Sequence, residues 1–167
     1  DILCSCIYGI DIDIHAVEVA KFSLLIKLIE DETAPSVSEV VPILPDLGDN
    51  IQFGNSLVSQ TELNGISGAN RQMMEIAPFD WSTINNGCGF DVIIGNPPYV
   101  NTEGMHALLP SAEVEIYKKK YKTSHKQFDK YFIFIEQAIN KINENGLVCY
   151  IVPNKFFKIG AGEKLRN

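Results

Sequence analysis

Apolar and polar residues alternate along the chain in a way that predicts strands and helices in turn. Short apolar runs rich in β-branched and aromatic residues predict buried strands at 5–10, 51–53, 90–94 and 147–152. Apolar residues at helical spacing and capping signals predict helices at 15–30, 72–76, 128–143 and 160–167. This succession is typical of an open α/β sheet, in which ligands bind at the carboxyl ends of the strands.

Single residues mark the ends of the two long helices. Asp13 is predicted to cap the amino end of helix 15–30, because a short side-chain oxygen there can accept a free backbone N–H. Asn145-Gly146 is predicted to end helix 128–143.

The strand at 90–94 is apolar on both faces apart from Asp91, as a central parallel strand is. Segment 33–49 carries three prolines and several acids and is predicted to be a surface loop. Segment 60–89 shows no firm periodicity and is predicted to be a connection with one or two helical turns around 72–76. The lysine-rich segment 100–126 is predicted to be an insertion or flap.

The composition supports a globular fold. The chain has 167 residues, of which 46% are hydrophobic and 21% charged, which predicts one domain over 1–167 and argues against disorder. Its apolar stretches are too short to cross a membrane, and no secretory signal opens it. It begins at Asp1 rather than a methionine, so we expect it to be part of a longer polypeptide.

Charge is distributed unevenly around a net value of −7. Residues 1–90 hold 3 basic residues against 13 acids, whereas the second half carries a short basic strip. The strip contains Lys118, Lys119, Lys120, Lys122 and Lys126. Such a strip can contact nucleic-acid phosphates or can be a solvated helix face, and the sequence favours neither.

The 4 cysteines lack the spacing of a metal site or a disulfide framework. Cys4 and Cys6 would share a face of the first predicted strand, with no histidine nearby to complete a zinc site. We therefore expect no metal and four small buried thiols in a reducing cytoplasm.

Polar residues follow the first two predicted strands. Asp11 comes directly after the first strand, where nucleotide-binding α/β proteins place a carboxylate that accepts from ribose hydroxyls. Asn55 follows the second strand, and its amide suits the edge of an adenine ring. A helix cap at Asp11 and a turn residue at Asn55 are the structural alternatives.

The most specific segment is Asn96-Pro97-Pro98-Tyr99, directly after strand 90–94. The two prolines stiffen the turn and remove two donors, which leaves the carbonyls of Asn96 and Pro97 available. Tyr99 adds a flat ring one residue later. Two aimed acceptors and a stacking surface together suit the amino group of a planar base.

This segment resembles the signature of S-adenosylmethionine-dependent amino-methyltransferases, chiefly N6-adenine-specific DNA methyltransferases. The resemblance continues through 127–131, 134–136, 144–146 and 151–156 and is greatest to the methylase portion of type IIG restriction-modification enzymes. It implies a Rossmann-like methyltransferase sheet. It also implies transfer of a methyl group from S-adenosylmethionine to the N6 amino group of adenine in DNA.

The resemblance assigns cofactor-binding roles in the first third of the chain. Asp11 would hold the ribose of the cofactor, and Ile12 would pack on its adenine. Asn55, with Ser56 beside it, would bond the adenine amino group of the cofactor.

At the target, Asn96 and Pro97 would accept hydrogen bonds from the amino group, and Tyr99 would stack on the extruded base. Pro98 belongs to the same catalytic segment. The lysines of the basic strip would grip backbone phosphates.

The chain departs from this family in lacking its glycine-rich cofactor loop, which we expect upstream of Asp1 with the first strand of the sheet. A target-recognition domain is expected downstream. Residues 1–167 would then be an incomplete catalytic domain, inactive alone, with exposed strand edges that allow self-association.

Three other functions stay open. Glutamine-modifying protein methyltransferases and some RNA methyltransferases share the Asn-Pro-Pro-Tyr segment. The isolated chain could instead be a non-catalytic module that binds nucleic acid or a partner domain. A dehydrogenase is disfavoured, because Gly-x-Gly-x-x-Gly is absent.

Overall fold

The computed structural model of the chain describes residues 2–30, 44–64 and 69–166. The helices in these ranges are α1 (Ile2–Cys6), α2 (Ile14–Ile29), α3 (Gln60–Leu63), α4 (Ala69–Ile76), α5 (Thr102–Leu108), α6 (Ser111–Lys120), α7 (Lys130–Lys141) and α8 (Glu163–Arg166). The strands are β1 (Gly9–Asp11), β2 (Ile51–Phe53), β3 (Phe90–Gly95) and β4 (Ile142–Tyr150). This mixed α/β chain divides into two compact units, Asp1–Ser56 and Leu57–Asn167.

In the first unit a small parallel sheet packs against α2. Gly9 lies opposite Ile51, and Asp11 lies opposite Phe53. Val17 of α2 is buried, and the half-buried residues around it are Ala20, Leu24, Leu25 and Leu28. The predicted helix is thus confirmed, with the apolar face that the helical spacing of these five residues predicts, as is the predicted strand 51–53.

The start of the chain differs from the prediction of a strand at 5–10. Ile2–Cys6 is helical, and β1 begins only at Gly9. The side-chain amide of Asn50 donates to the carbonyls of Cys4 (2.8 Å) and Ile7 (2.9 Å), which satisfies acceptors that the helix end leaves unpaired. The prediction was wrong because a short apolar run does not distinguish a strand from a buried helical turn.

In the second unit, β3 and β4 form another parallel pair. Val92 lies opposite Leu147 and Gly95 opposite Tyr150, with a register shift between Phe90 and Val92. Gly95 packs closely on the neighbouring strand, since a Cβ there would lie 3.0 Å from Cε1 of Tyr150. A side chain at this position would require the ring of Tyr150 to shift.

One face of this sheet carries an apolar stripe formed by Val92, Ile94, Leu147 and Ile151. All four are exposed, for example Ile94 at 76% and Leu147 at 69%. The predicted strand 90–94 is confirmed, but its burial on both faces is wrong for the described residues. The apolar residues make this face suited to packing against another element, and none of the described residues covers it.

The core of the second unit lies among α5, α6 and α7. Its fully buried members include Leu57, Leu63, Met105, Val114, Tyr117, Phe128, Tyr131, Phe132 and Ile133. Segment 100–126, predicted as an insertion or flap, contributes several of these side chains, so it is packed into the unit. Whether it is an insertion relative to other chains stays a prediction.

Helix α7 confirms the predicted helix 128–143 with different details. The spacing predicts an apolar face at Phe132, Ile135, Ile139 and Ile142. Phe132 is buried and Ile135 packs against the core as predicted, whereas Ile139 is exposed and the buried face also includes Tyr131. The predicted stop at Asn145-Gly146 was wrong, because the helix ends at Lys141 and the chain enters β4 at Ile142.

The remaining predicted elements are found with shifted bounds. Helix 72–76 is α4, strand 147–152 is β4, and 160–167 forms a 3-10 turn at Gly160–Gly162 followed by α8. Most of the predicted loop 33–49 lies outside the described residues.

The four cysteines are free thiols. Cys6, Cys88 and Cys149 are exposed and Cys4 is half-buried, so the prediction of buried thiols was wrong. Over the described ranges, no three His, Cys, Asp or Glu side chains group so as to hold a metal ion. No helix there is long and apolar enough to cross a membrane.

Candidate active site

The Asn-Pro-Pro-Tyr segment begins where the β3 ladder ends. The final backbone bond joins the N–H of Ile151 to the carbonyl of Gly95 at 3.1 Å. Asn96 is exposed and Pro97 is buried. Within 2–30, 44–64 and 69–166, nothing donates a hydrogen bond to the main-chain carbonyl of Asn96 or Pro97. The segment therefore presents unused acceptors at the carboxyl end of a strand.

Tyr99 is tied to both strands of the sheet through its hydroxyl. The hydroxyl lies 2.6 Å from the carbonyl oxygen of Ile151 and 2.9 Å from Oδ1 of Asn96. Its single proton is shared between these two acceptors. The side chain is 51% exposed, so the ring remains accessible while its tip is held.

A buried aromatic group supports the ring of Tyr99. Tyr131 meets it edge-on, with ring centroids 6.2 Å apart and planes at 85°. Tyr131 in turn contacts Phe132 at 4.7 Å and Phe156 at 6.4 Å, again edge-on. Such edge-to-face contacts fix the relative orientation of rings.

The hydroxyl of Tyr131 donates to the carbonyl of Pro153 at 3.3 Å. Burial, and secondly the charge of Asp129, raise the pKa of Tyr131 to about 12, so it remains a donor at neutral pH. Lys155 forms an ion pair of 2.7 Å with the buried Asp129. Together these contacts hold the segment after β4 against the start of α7.

In the first unit, Asp11 and Asn55 lie at adjacent strand ends. The N–H of Gly54 donates to the carbonyl of Asp11 at 2.8 Å, which joins the two ends. Asp13 caps α2 as predicted, since its carboxylate accepts the N–H of His15 at 2.9 Å. The parallel pairing of β1 and β2 thus brings the predicted cofactor residues to the carboxyl-end edge of this small sheet.

The carboxylate of Asp11 is exposed and accepts the N–H of Asp13 at 2.8 Å through Oδ1. Its Oδ2 has no donor among the residues that the structure describes. Ile12 beside it is exposed. The carboxylate of Asp11 therefore shapes the turn before α2, and its role at the cofactor stays a prediction.

Asn55 is buried and Ser56 is half-buried. Both already interact with neighbouring groups of the chain. Their roles at the cofactor stay predictions.

The basic strip is not uniform in the structure. Lys120 forms an ion pair with Glu62 at 2.8 Å and donates to the carbonyl of Leu57 at 2.9 Å. It is three-quarters buried and ties α6 to the start of the second unit. This lysine serves the fold, which the sequence alone did not indicate.

The other strip lysines lie nearer to solvent. Lys118 is 3.7 Å from Glu115 and Lys126 is 3.9 Å from Glu163, both exposed pairs. Lys119 and Lys122 are exposed and have no acid within ion-pair distance in the described ranges. The contact of this strip with phosphates stays a prediction.

Sequence reasoning did not single out Tyr131 or the carbonyl of Ile151. A tyrosine on the apolar face of helix 128–143 was the available signal for the first. Every residue has a backbone carbonyl, so the sequence cannot indicate the contact of Tyr99 with the carbonyl of Ile151. Only the structure shows it.

Comparison with known proteins gives a consistent result. The model of the Eco57I restriction-modification methylase family matches residues 5–167. The chain is 48% identical over 166 residues to the type II restriction enzyme and methyltransferase RM.Eco57I of Escherichia coli. It is 35% identical over 77 residues to the type II methyltransferase M.BstVI of Geobacillus stearothermophilus, and 32% over 78 residues to M.PaeR7I of Pseudomonas aeruginosa.

These relatives are much longer than the matched region. The match covers 99% of this chain but 16% of the Escherichia coli protein. It covers 46% of this chain and 13% of M.BstVI, and 47% and 13% for M.PaeR7I. The chain thus spans a small part of the curated relatives that it matches.

Proposed function

Because the chain belongs to the Eco57I restriction-modification methylase family, we propose that it takes part in methyl transfer from S-adenosylmethionine to the N6 amino group of adenine in DNA. The Asn96–Tyr99 segment at the end of β3 is the observation that carries this proposal. Its main-chain carbonyls at Asn96 and Pro97 accept no hydrogen bond from the described residues, the exposed Asn96 places Oδ1 beside the hydroxyl of Tyr99, and the ring of Tyr99 is accessible while its hydroxyl is held.

The target amine explains why acceptors are needed rather than a strong base. The lone pair of adenine N6 is delocalised into the ring, which makes the nitrogen a poor nucleophile. Hydrogen bonds from its two N–H groups to Oδ1 of Asn96 and the carbonyl of Pro97 favour a pyramidal nitrogen whose lone pair is free to react. Positioning and electrostatics then supply most of the acceleration.

Tyr99 would stack on the base after it leaves the duplex. Extrusion costs a few kcal/mol, and stacking on an aromatic ring returns about 1–3 kcal/mol. The hydroxyl bond to Ile151 supports this role, since a ring held at its tip loses less freedom on stacking. Pro98 contributes by keeping the turn between Asn96 and Tyr99 stiff.

S-adenosylmethionine, when bound, supplies an activated methyl group. The residues at the ends of β1 and β2 fit its nucleoside part, because Asp11 keeps an exposed carboxylate oxygen and Ile12 an exposed apolar side chain. Asp11 would accept from the ribose hydroxyls and Ile12 would cover the adenine. Asn55 and Ser56 would meet the adenine edge.

We also propose that the chain supplies part of a Rossmann-like methyltransferase sheet, with its first strand and glycine-rich loop outside residues 1–167. The length of the Escherichia coli relative supports this arrangement. Lys119 and Lys122 are the strip lysines best suited to DNA phosphates, because in the described ranges they have no acid partner.

The test is methyl transfer by the full-length polypeptide that contains this chain. It is incubated with radiolabelled S-adenosylmethionine and, separately, with duplex DNA, RNA and unfolded protein, and the modified nucleosides or residues are identified. N6-methyladenine in DNA is the expected product. Label found only in RNA or glutamine, or as N4-methylcytosine, would overturn the assignment of substrate.

A further inference from the structure

The plane of the Tyr99 ring matters for a residue that stacks on a base. The hydroxyl bond to Ile151 fixes the tip of the side chain but leaves rotation about its long axis free. The edge-on ring of Tyr131, at 6.2 Å and 85°, is the ring contact that limits this rotation. A hydrogen bond and a ring contact together define the plane, and neither does so alone.

Tyr131 is itself immobilised on several sides. Its side chain is fully buried, and Phe132 and Phe156 contact its ring edge-on. Its hydroxyl reaches the carbonyl of Pro153 at 3.3 Å. Tyr131 lies in the first turn of α7, so the position of its ring is set by the helix and by these packing contacts.

We propose that Tyr131 is a positioning residue that sets the plane of the Tyr99 ring for the extruded target base. It acts through Tyr99 and does not touch the substrate. The inference rests on the proposed function, because the plane of Tyr99 has a purpose only if a base stacks on it. Misplacement of a reacting group by small distances costs large factors in rate, which gives such a residue a measurable effect.

The experiment compares three substitutions in the full-length polypeptide. Tyr131→Leu removes the ring that meets Tyr99, and Tyr131→Phe keeps that ring but removes the bond to Pro153. Ile133→Ala removes buried volume from the same helix and leaves both tyrosines in place, so it controls for a general loss of packing. Each variant is also made with Tyr99→Ala.

We expect Tyr131→Leu to lower the single-turnover rate of methyl transfer about 10-fold or more, with the Kd for S-adenosylmethionine changed less than about 2-fold. Tyr131→Phe and Ile133→Ala should each stay within about 3-fold of the wild type. In the Tyr99→Ala background, Tyr131→Leu should cause no further loss, because interacting residues are non-additive. The proposal would be overturned if the rate losses of Tyr131→Leu and Tyr99→Ala were fully additive in the double variant. It would also be overturned if Ile133→Ala lowered the rate as much as Tyr131→Leu.

A second measurement does not depend on activity. A fluorotyrosine placed at position 99 reports motion of the ring through the width of its line in the fluorine NMR spectrum. Tyr131→Leu should change this line width, whereas Ile133→Ala should not. A changed line width in a protein that methylates no DNA would show that Tyr131 restrains the ring of Tyr99 but would refute the proposed function and, with it, the role toward a base. An unchanged line width would refute the positioning role alone.

Discussion

The end of β3 and the interface between α6 and α7 use similar side chains in opposite ways. At the end of β3, Asn96 and Tyr99 are exposed and the carbonyl of Pro97 has no described donor. At the helix interface, Glu113 is 4% exposed and accepts from the hydroxyl of Tyr117. Nζ of Lys130, in α7, lies 3.6 Å from Oε1 of the same carboxylate.

The difference shows what burial does to polar groups. In the interface, these buried polar groups are paired with one another. Leaving a buried polar group unpaired costs more free energy than one hydrogen bond contributes. At the strand end, the exposed side chains of Asn96 and Tyr99 can contact water until a ligand replaces it. Substitutions in the interface should therefore change the free energy of unfolding, and substitutions at the strand end should change activity.

The largest effect is expected at the buried pair. Lys130→Met removes the ammonium group that lies 3.6 Å from the buried carboxylate of Glu113, which should lower the free energy of unfolding by about 3–5 kcal/mol. Urea denaturation of the purified protein measures this. Lys118→Met, which removes an exposed ion pair at 3.7 Å, is the control and should cost less than about 1 kcal/mol. Equal losses in both variants would break the comparison.

The pH dependence of the same pair carries a definite sign. Burial lowers the pKa of Lys130, and Glu113 opposes this lowering. Glu113→Gln should lower that pKa further, so the unfolded state binds more protons than the folded state over a wider alkaline range. The free energy of unfolding of the variant should then rise with pH through that range, relative to the wild type. A fall over the same range would contradict the assigned cause.

Asn96→Ala should give the next largest effect, on activity alone. Loss of one aimed polar group typically lowers a rate about 100- to 1,000-fold, or about 2.7–4 kcal/mol. The free energy of unfolding should change by less than about 0.5 kcal/mol, because the side chain is exposed. Single-turnover kinetics and urea denaturation of the full-length protein check both. A stability loss that explains the lost activity would remove Asn96 from the site.

One substitution made at two tyrosines sharpens the contrast. Tyr121 is buried, and its hydroxyl donates to the carbonyl of Leu57 at 2.7 Å and to Gln137 at 3.2 Å. Tyr121→Phe should therefore cost about 1–1.5 kcal/mol of stability. Tyr99→Phe should cost less, since water can replace the lost bond. Thermal unfolding of the two variants in parallel gives the comparison, and a larger loss at Tyr99 would reverse it.

The smallest effect concerns the lysines. Lys119→Gln or Lys122→Gln should weaken DNA binding a few-fold and reduce the slope of log affinity against log salt by about one. Lys120→Gln should leave that slope unchanged and lower stability, because its ammonium is bonded to Glu62 and Leu57. Binding titrations at several salt concentrations decide between them. An unchanged slope in all three variants would exclude the strip from DNA contact.

The sequence predicted the elements better than their surroundings. Local signals such as Asp13 and the spacing of α2 specified a helix and its cap, because both depend on residues within one or two turns. The strand end at Asn96 followed from an apolar run bounded by glycines. These features need no information from distant residues.

Features that depend on distant residues were not predictable. The helical start at Ile2–Cys6 is stabilised by Asn50, more than forty positions later. Lys120 was predicted to lie on the basic strip at the surface, but it is largely buried because it forms an ion pair with Glu62 of another helix. The link from Tyr99 to Ile151 uses a backbone oxygen, which every residue has. Spacing cannot reveal any of these.

The apolar stripe on β3 and β4 has a practical consequence for handling the protein. Val92, Ile94, Leu147 and Ile151 present neighbouring apolar side chains to water on one face of the sheet. Such surfaces adsorb to hydrophobic chromatography resins and plastic, bind dyes such as anilinonaphthalene sulfonate, and promote precipitation when salting-out ions are added. A preparation of residues 1–167 is best kept dilute, in low-sulfate buffer with a mild detergent, and a lysine at Ile94 is the first substitution to try for a better-behaved sample.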